Sequence, residues 1–157
     1  MKLQIWGPFL AACSTLFVIS THAALGDQLV TSSSANSTSN SRQATSVTAS
    51  GSTYSVSEST IDGVAIRQFV NSQGRVFGIS WKGVDLPPLD TLLGIYLPEY
   101  KSAVKARGRQ FGRRTLKIST DNIVVEGSSR QTDQRGRAYI PASLPLGFDL
   151  KEINFNE

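Results

Sequence analysis

The chain has 157 residues and a formal net charge of +4, with one cysteine, Cys13, and one histidine, His22. That length supports one modest hydrophobic core. Because both residues lie near the start, removal of that segment would exclude disulfides, Cys–His and Ser–His relays, and zinc sites built on imidazole or thiolate.

The first 23 residues have the pattern of a secretory signal peptide. Lys2 supplies a basic start, an apolar stretch covers residues 5–19, and Thr21-His22-Ala23 places small residues at its first and third positions. Gly7-Pro8 interrupts the apolar stretch, which is also shorter than the roughly 20 residues of a membrane span. We therefore expect cleavage after Ala23 and a periplasmic or extracellular mature protein without a transmembrane segment.

A competing interpretation concerns Cys13. The stretch Leu10-Ala11-Ala12-Cys13 resembles the lipobox of bacterial lipoproteins, in which the cysteine is acylated and becomes the first residue. Cleavage there would leave the apolar run 16–19 exposed on the mature protein. Ordinary signal cleavage after Ala23 is therefore preferred, and acylation at Cys13 is the minor alternative.

Residues 24–51 are predicted to form a flexible N-terminal segment. From Thr31 to Ser50 the chain consists mostly of Ser, Thr, Asn and Ala, with Arg42 as its one charge. Such a composition buries too little apolar surface to offset the entropy lost on ordering. The folded domain is therefore expected to span residues 52–157.

Three alternating runs predict an antiparallel meander at the start of this domain. Residues 54–59, 64–70 and 75–81 each alternate in the period of a half-buried strand. Asp62-Gly63 is a favoured hairpin turn, and residues 71–74 form a second turn. Phe77, Ile79 and Trp81 share one face of the third run, so the meander is expected to have one apolar face.

Helical spacing replaces strand spacing after Gly83. Pro87-Pro88 suits a helix start, and Pro98 is expected to kink or split the helix because its ring would crowd the carbonyl of Gly94. The predicted apolar stripe consists of Leu89, Leu92, Leu93, Tyr96, Tyr100 and Val104.

Two further strands are predicted at 121–129 and 134–141, followed by a mostly irregular tail. The predicted fold class is therefore α+β: an antiparallel sheet of about five strands with one kinked helix packed on its apolar face.

A run of basic residues without an intervening acid is the clearest candidate for a binding surface. It suits a polyanion, such as an anionic lipid surface or an acidic polysaccharide, although a solvated helix end and loop would explain it as well. Export and the single aromatic residue within the run, Phe111, argue against nucleic acid. The run consists of Lys101, Lys105, Arg107, Arg109, Arg113, Arg114 and Lys117.

Other candidate groups have weaker support. Tyr96 and Tyr100 are candidates for an aromatic binding surface beside Lys101 and Lys105, although aromatic residues at helical spacing more often belong to a core. No serine lies in a Gly-x-Ser-x-Gly motif, and no Gly-rich phosphate loop or calcium loop is present. We predict no catalytic residue, metal ligand or cofactor.

Several segments resemble the bacterial exported family called domain of unknown function 2844. These are Ala24-Leu25-Gly26, "YSVSE", "GRVFGISWKG", "PPLDTLLGIYLPEY" and "RGRAYIPASLPLG", which together extend over nearly the whole mature chain. The resemblance implies export and the extent of the domain, and the family has no established activity to transfer. In that family a second glycine and a histidine often stand where this chain has Asp27 and Ser57.

These features favour a non-enzymatic binding or accessory protein for an anionic envelope component or a partner protein. One alternative is an envelope enzyme using carboxylates, which requires two acids within about 10 Å across a concave pocket. Another is a structural subunit of an envelope assembly, which an exposed, unpaired edge strand near Ser52 or Phe155 would favour.

Overall fold

A computed structural model describes residues 23–28, 42–108, 112 and 114–154. The described residues form one antiparallel sheet of seven strands, whose spatial order is β1-β2-β3-β4-β7-β6-β5. The strands are β1 (Arg42–Val47), β2 (Thr53–Ile61), β3 (Val64–Asn71), β4 (Val76–Gly83), β5 (Thr115–Ser119), β6 (Val124–Arg130) and β7 (Asp133–Tyr139).

The α+β architecture expected from the sequence is confirmed, but the expected number of five strands is wrong. The two additional strands are β1 and β5, which form the two edges of the sheet. Five of the six side chains of β1 are exposed, so this strand lacks the alternation that reveals a half-buried strand. β5 is short and lies beside the basic run, and Ile118 is its one buried residue.

The first hairpin follows directly from local chemistry. Asp62 and Gly63 adopt φ angles of 50° and 78° between β2 and β3. Positive φ at both central residues matches a turn whose twist agrees with that of the paired strands. The turn therefore sets the register in which Ile61 lies opposite Val64 and Glu58 lies opposite Arg67.

Sequence composition predicts a flexible segment over residues 24–51, whereas the structure includes two parts of it in the fold. One is β1, which pairs with β2 over its whole length. The other is the segment Ala24–Asp27, whose Leu25 side chain is completely buried. β1 is stabilised by the strand that follows it and Ala24–Asp27 by residues distant in sequence, so the composition of the segment itself reveals neither. Residues 29–41 lie outside the described residues.

The helical stretch after β4 consists of α1 (Leu89–Leu93), a 3₁₀ turn (Gly94–Tyr96) and α2 (Leu97–Arg107). The interruption begins at Gly94, which has φ 49° and ψ −120°. Pro98 lies in the first turn of α2, where its missing N–H removes no helical hydrogen bond. Among the described residues, no helix is long and apolar enough to cross a membrane.

The sheet carries a hydrophobic cluster on each face. On the helix face, α1 and Leu25 pack against a core that includes Ile66, Ile79 and Val125. On the tail face, the chain after β7 forms two 3₁₀ turns, Pro141–Ser143 and Leu150–Ile153, and covers an aromatic cluster. The sequence predicts a mostly irregular tail, and the structure shows that this tail docks on the sheet. The aromatic cluster and its cover include Tyr54, Phe69, Phe77, Tyr139, Phe148 and Ile153.

Candidate functional site

A groove separates α2 from the sheet on the helix face and encloses a cavity of about 270 Å³. Leu116 and Val125 contribute to its floor from β5 and β6, and Trp81 contributes from β4. Tyr100 and Val104 line it from α2, where a spacing of four residues places them on the same side of the helix. The described surface of the groove is therefore largely apolar.

Two facing glycines shape the floor of this groove. Gly127 of β6 lies directly opposite Gly136 of β7, so neither strand contributes a side chain there. The Trp81 indole covers Gly136, where an added Cβ would stand 2.2 Å from the ring carbon Cζ2. At Gly127 an added Cβ would meet only the Arg135 carbonyl, at 3.8 Å. The space above Gly127 is therefore open and belongs to the groove.

The charged side chains among the described residues that line the groove are all basic. They are Arg107 and Arg114, and the described lining includes no aspartate or glutamate. Arg135 lines the groove with its backbone, because strand alternation places its side chain with that of Arg137 on the tail face. Arg107 donates a hydrogen bond to the carbonyl of Lys117, which ties the end of α2 to the outer strand β5. Arg135 pairs with Asp133 at 2.7 Å, while Arg114 is exposed. An anionic group at the mouth would therefore meet a positive potential.

The structure divides the predicted basic run between two surfaces. Lys101 and Lys105 are exposed on α2, each one residue after a groove-lining side chain. Arg107 and Arg114 lie at the groove itself. Lys117 instead pairs with Glu126 at 2.7 Å on the tail face. Arg109 and Arg113 lie outside the described residues, so their part of the prediction has no structural placement.

The two predicted surface tyrosines are only partly exposed. Both pack against the helix-face core, and the Tyr96 ring lies so close to Gly26 that an added Cβ there would stand 3.0 Å from Cε2. Tyr100 lines the groove, and burial raises the pKa of its hydroxyl. Tyr100 therefore combines a core contact with a wall of the groove, whereas Tyr96 supports the N-terminal segment.

A row of charged side chains crosses the opposite, tail face of the sheet. The strand register places one residue of each strand side by side across the sheet. On both sides of the central strand β4, oppositely charged residues are cross-strand neighbours. Arg137 donates to Glu126 at 2.7 Å, and Arg67 pairs with Glu58. Both acids of the row are therefore paired, and its basic residues outnumber its acids by four to two. The row consists of Arg42, Glu58, Arg67, Ser80, Arg137, Glu126 and Lys117.

Several of the described carboxylates belong to structural pairs, among them Glu99, Glu126 and Asp133. Burial alone would raise the pKa of Glu126, but hydrogen bonds from Lys117 and Arg137 outweigh that effect and lower it. Hydrogen bonds from Arg135 lower the pKa of Asp133, and hydrogen bonds from Thr120 and Asn122 lower that of Glu99. A general acid needs the opposite shift. The described residues contain no group of three or more His, Cys, Asp or Glu side chains that could hold a metal ion.

Comparison with known proteins identifies one family. The family model described as "Protein of unknown function (DUF2844)" matches residues 21–153. This range begins just before the buried segment Ala24–Asp27 and ends at Ile153, so it includes the sheet, the helices and the docked tail. No curated protein and no solved structure shows significant similarity to the chain.

Proposed function

The chain belongs to the DUF2844 family of proteins of unknown function, and from that premise we propose that it is an exported, non-enzymatic binding domain for an anionic lipid of the cell envelope. The acyl chain occupies the groove between α2 and the sheet, and the anionic head group lies at its basic mouth. The observation that carries this proposal is an apolar groove whose described lining contains arginines and no acid.

The apolar lining favours a lipid over an acidic polysaccharide. Trp81, Leu89, Tyr100, Leu116 and Val125 present hydrocarbon and aromatic surface, which gains free energy by removing an acyl chain from water. A polysaccharide would instead require many hydrogen-bond partners within the groove. The open floor above Gly127 offers space for such a chain.

The basic residues supply the head-group end of the site. Arg107 and Arg114 both line the groove, and Arg114 is exposed. Lys101 and Lys105 extend the positive surface along the same helix. Each basic residue close to an anionic membrane surface contributes about 1 kcal/mol of attraction, so this helix favours approach to such a surface.

Filling the groove tests the acyl part of the proposal. Gly127→Leu places a side chain over the open floor without a backbone clash, so it should weaken binding of a fluorescent long-chain fatty acid about tenfold or more. Thr60→Leu adds the same side chain to an exposed position of β2, four strands away in the sheet, and should bind as the unchanged protein does. Equal binding by Gly127→Leu would exclude the groove as the site.

Removing charge tests the head-group part. Arg114→Ser should weaken binding of the fatty acid but leave binding of the corresponding fatty alcohol unchanged, because the alcohol carries no charge. Lys101→Ser with Lys105→Ser should reduce sedimentation with vesicles that contain phosphatidylglycerol, most strongly at low salt. Binding of an acidic polysaccharide with no binding of either lipid probe would overturn the lipid proposal.

A further inference from the structure

Backbone hydrogen bonds attach the segment Ala24–Asp27 to two other parts of the domain. The Leu25 N–H donates to the Leu92 carbonyl at 2.9 Å, and the Gly26 N–H donates to the Val76 carbonyl at 2.9 Å. The Val76 N–H donates in return to the Asp27 carbonyl at 3.0 Å. Since Leu25 is also fully buried, this segment joins β4 to α1 and completes the helix-face core.

The first described residue makes one further contact, through its carbonyl. The Gln68 side chain donates from Nε2 to the carbonyl oxygen of Ala23 at 2.6 Å. Gln68 is only 5% exposed, and it is one of three buried polar residues among those described. The carbonyl that it binds belongs to the peptide bond between Ala23 and Ala24, the bond at which the sequence predicts signal cleavage.

We propose that this peptide bond is cleaved and that Gln68 then binds the new α-ammonium group of Ala24. Hydrolysis adds the OH of one water molecule to the Ala23 carbonyl carbon and its hydrogen to the Ala24 nitrogen. The Ala23 carbonyl, which accepted from Gln68, leaves with the cleaved segment. The Ala24 ammonium, a hydrogen-bond donor, takes its place. A primary amide carries both functions, so a turn of the side chain brings Oε1 to accept from the ammonium where Nε2 donated to the carbonyl.

The local packing explains why this N-terminus has small residues. Ala24 is 8% exposed, and a Cβ added at Gly94 would stand 2.7 Å from the Ala24 Cβ. Once the segment is docked, the bond before Ala24 is shielded by its neighbours. We therefore expect cleavage to precede docking of this segment. This inference shares export with the proposed function but requires no lipid binding.

The first test is the mass of the exported protein. The full chain is expressed in a bacterial host that exports it, and the intact mass of the purified product is measured. The mass should correspond to residues 24–157 in the unchanged protein and in the Gln68 variants. A product that begins elsewhere, including one acylated at Cys13, would overturn the proposal.

The second test separates docking of the ammonium from simple cleavage. Gln68→Glu should raise the melting temperature of the processed protein and slow acylation of its α-amine, because a carboxylate holds an ammonium ion more strongly than an amide does. Each unit by which the amine pKa rises slows that acylation about tenfold at neutral pH. Gln68→Leu should have the opposite effect on both readouts.

The matched control is Gln43→Glu, which makes the same change at an exposed position of β1 and should alter neither readout. If Gln68→Leu fails to fold, Gln68→Glu still tests whether residue 68 binds the ammonium group of Ala24. A correctly processed Gln68→Glu protein with a lowered melting temperature and an unprotected α-amine would contradict docking. Fatty-acid binding is measured on the same samples, so failure of the lipid proposal is seen separately.

Discussion

The two faces of the sheet use similar residues in opposite ways. On the tail face, Glu126 lies between Lys117 and Arg137 and pairs with both, and the docked tail covers the aromatic cluster. On the helix face, the described lining of the groove has basic groups without acids, and facing glycines leave part of the floor open. On the tail face the described acids of the sheet are paired with neighbouring basic residues, whereas the described lining of the groove on the helix face contains no acid and leaves space above Gly127.

This difference bears on which substitutions change stability and which change binding. Paired charges and rings that pack at centroid distances of 5.0 to 6.3 Å stabilise the tail face of the domain. Open apolar space within a groove lowers stability unless a ligand fills it. The contrast therefore predicts that substitutions on the tail face change stability, whereas those at Gly127 and Arg114 change binding.

The largest expected effect is loss of the tail's anchor. Ile153→Ala removes a fully buried side chain that packs over Gly78, so we expect the free energy of unfolding to fall by about 2–5 kcal/mol in chemical denaturation. Leu146→Ala changes a side chain that is 78% exposed in the same tail and should alter stability by no more than about 0.5 kcal/mol. Equal effects at the two positions would show that the tail face does not depend on docking of the tail.

An intermediate effect is expected at the paired glycines. Gly136→Ala forces a Cβ into the Trp81 indole, and we expect it to lower the free energy of unfolding by about 1–3 kcal/mol. Gly127→Ala, directly across the pair, meets no such contact and should leave stability nearly unchanged. Thermal unfolding of both variants checks this asymmetry, and a Gly127→Ala protein as unstable as Gly136→Ala would show that the floor is closed.

The smallest expected effect concerns the charge row. The folded-state pKa of Glu126 is lowered, so its stabilising contribution is present above its ordinary pKa of 4.5 and is lost as the pH falls below that value. Glu126→Gln should lower stability at pH 7 by about 1 kcal/mol and make the loss of stability under acid shallower. Asp85→Asn, in an exposed loop, serves as the charge control in urea unfolding at several pH values. A steeper loss for Glu126→Gln would contradict this assignment.

The elements that sequence reasoning predicted correctly are those whose cause is local. The Asp62-Gly63 turn needs only its own two residues, and the strands on either side of it alternate in sequence. The break in the helix was predicted at Pro98, which lies in the first turn of α2, and the interruption itself starts at Gly94. β1 was missed because its stability comes from pairing with β2 and not from its own pattern.

In the candidate site, too, the sequence reveals local features but not those that depend on tertiary contacts. The basic run was visible in the sequence, but the sequence does not reveal that Lys117 pairs with Glu126 on the tail face. Tyr100 was identified as a candidate, whereas Gly127 was not. A glycine within a predicted strand is a signal for close approach or open space, but its meaning depends on the residue opposite it.

The sequence by itself determined the strand and helix periods, the hairpin turns, the α+β class and the concentration of basic residues after the helix. Each depends on side chains within a few positions of one another, where backbone preference and burial period act directly. The tertiary structure decided the strand register, and with it which charges are paired and where the glycines face each other. It also decided that Leu25 and Ile153 close the two cores, because burial of an isolated residue near a chain end depends on surfaces assembled from distant parts of the chain.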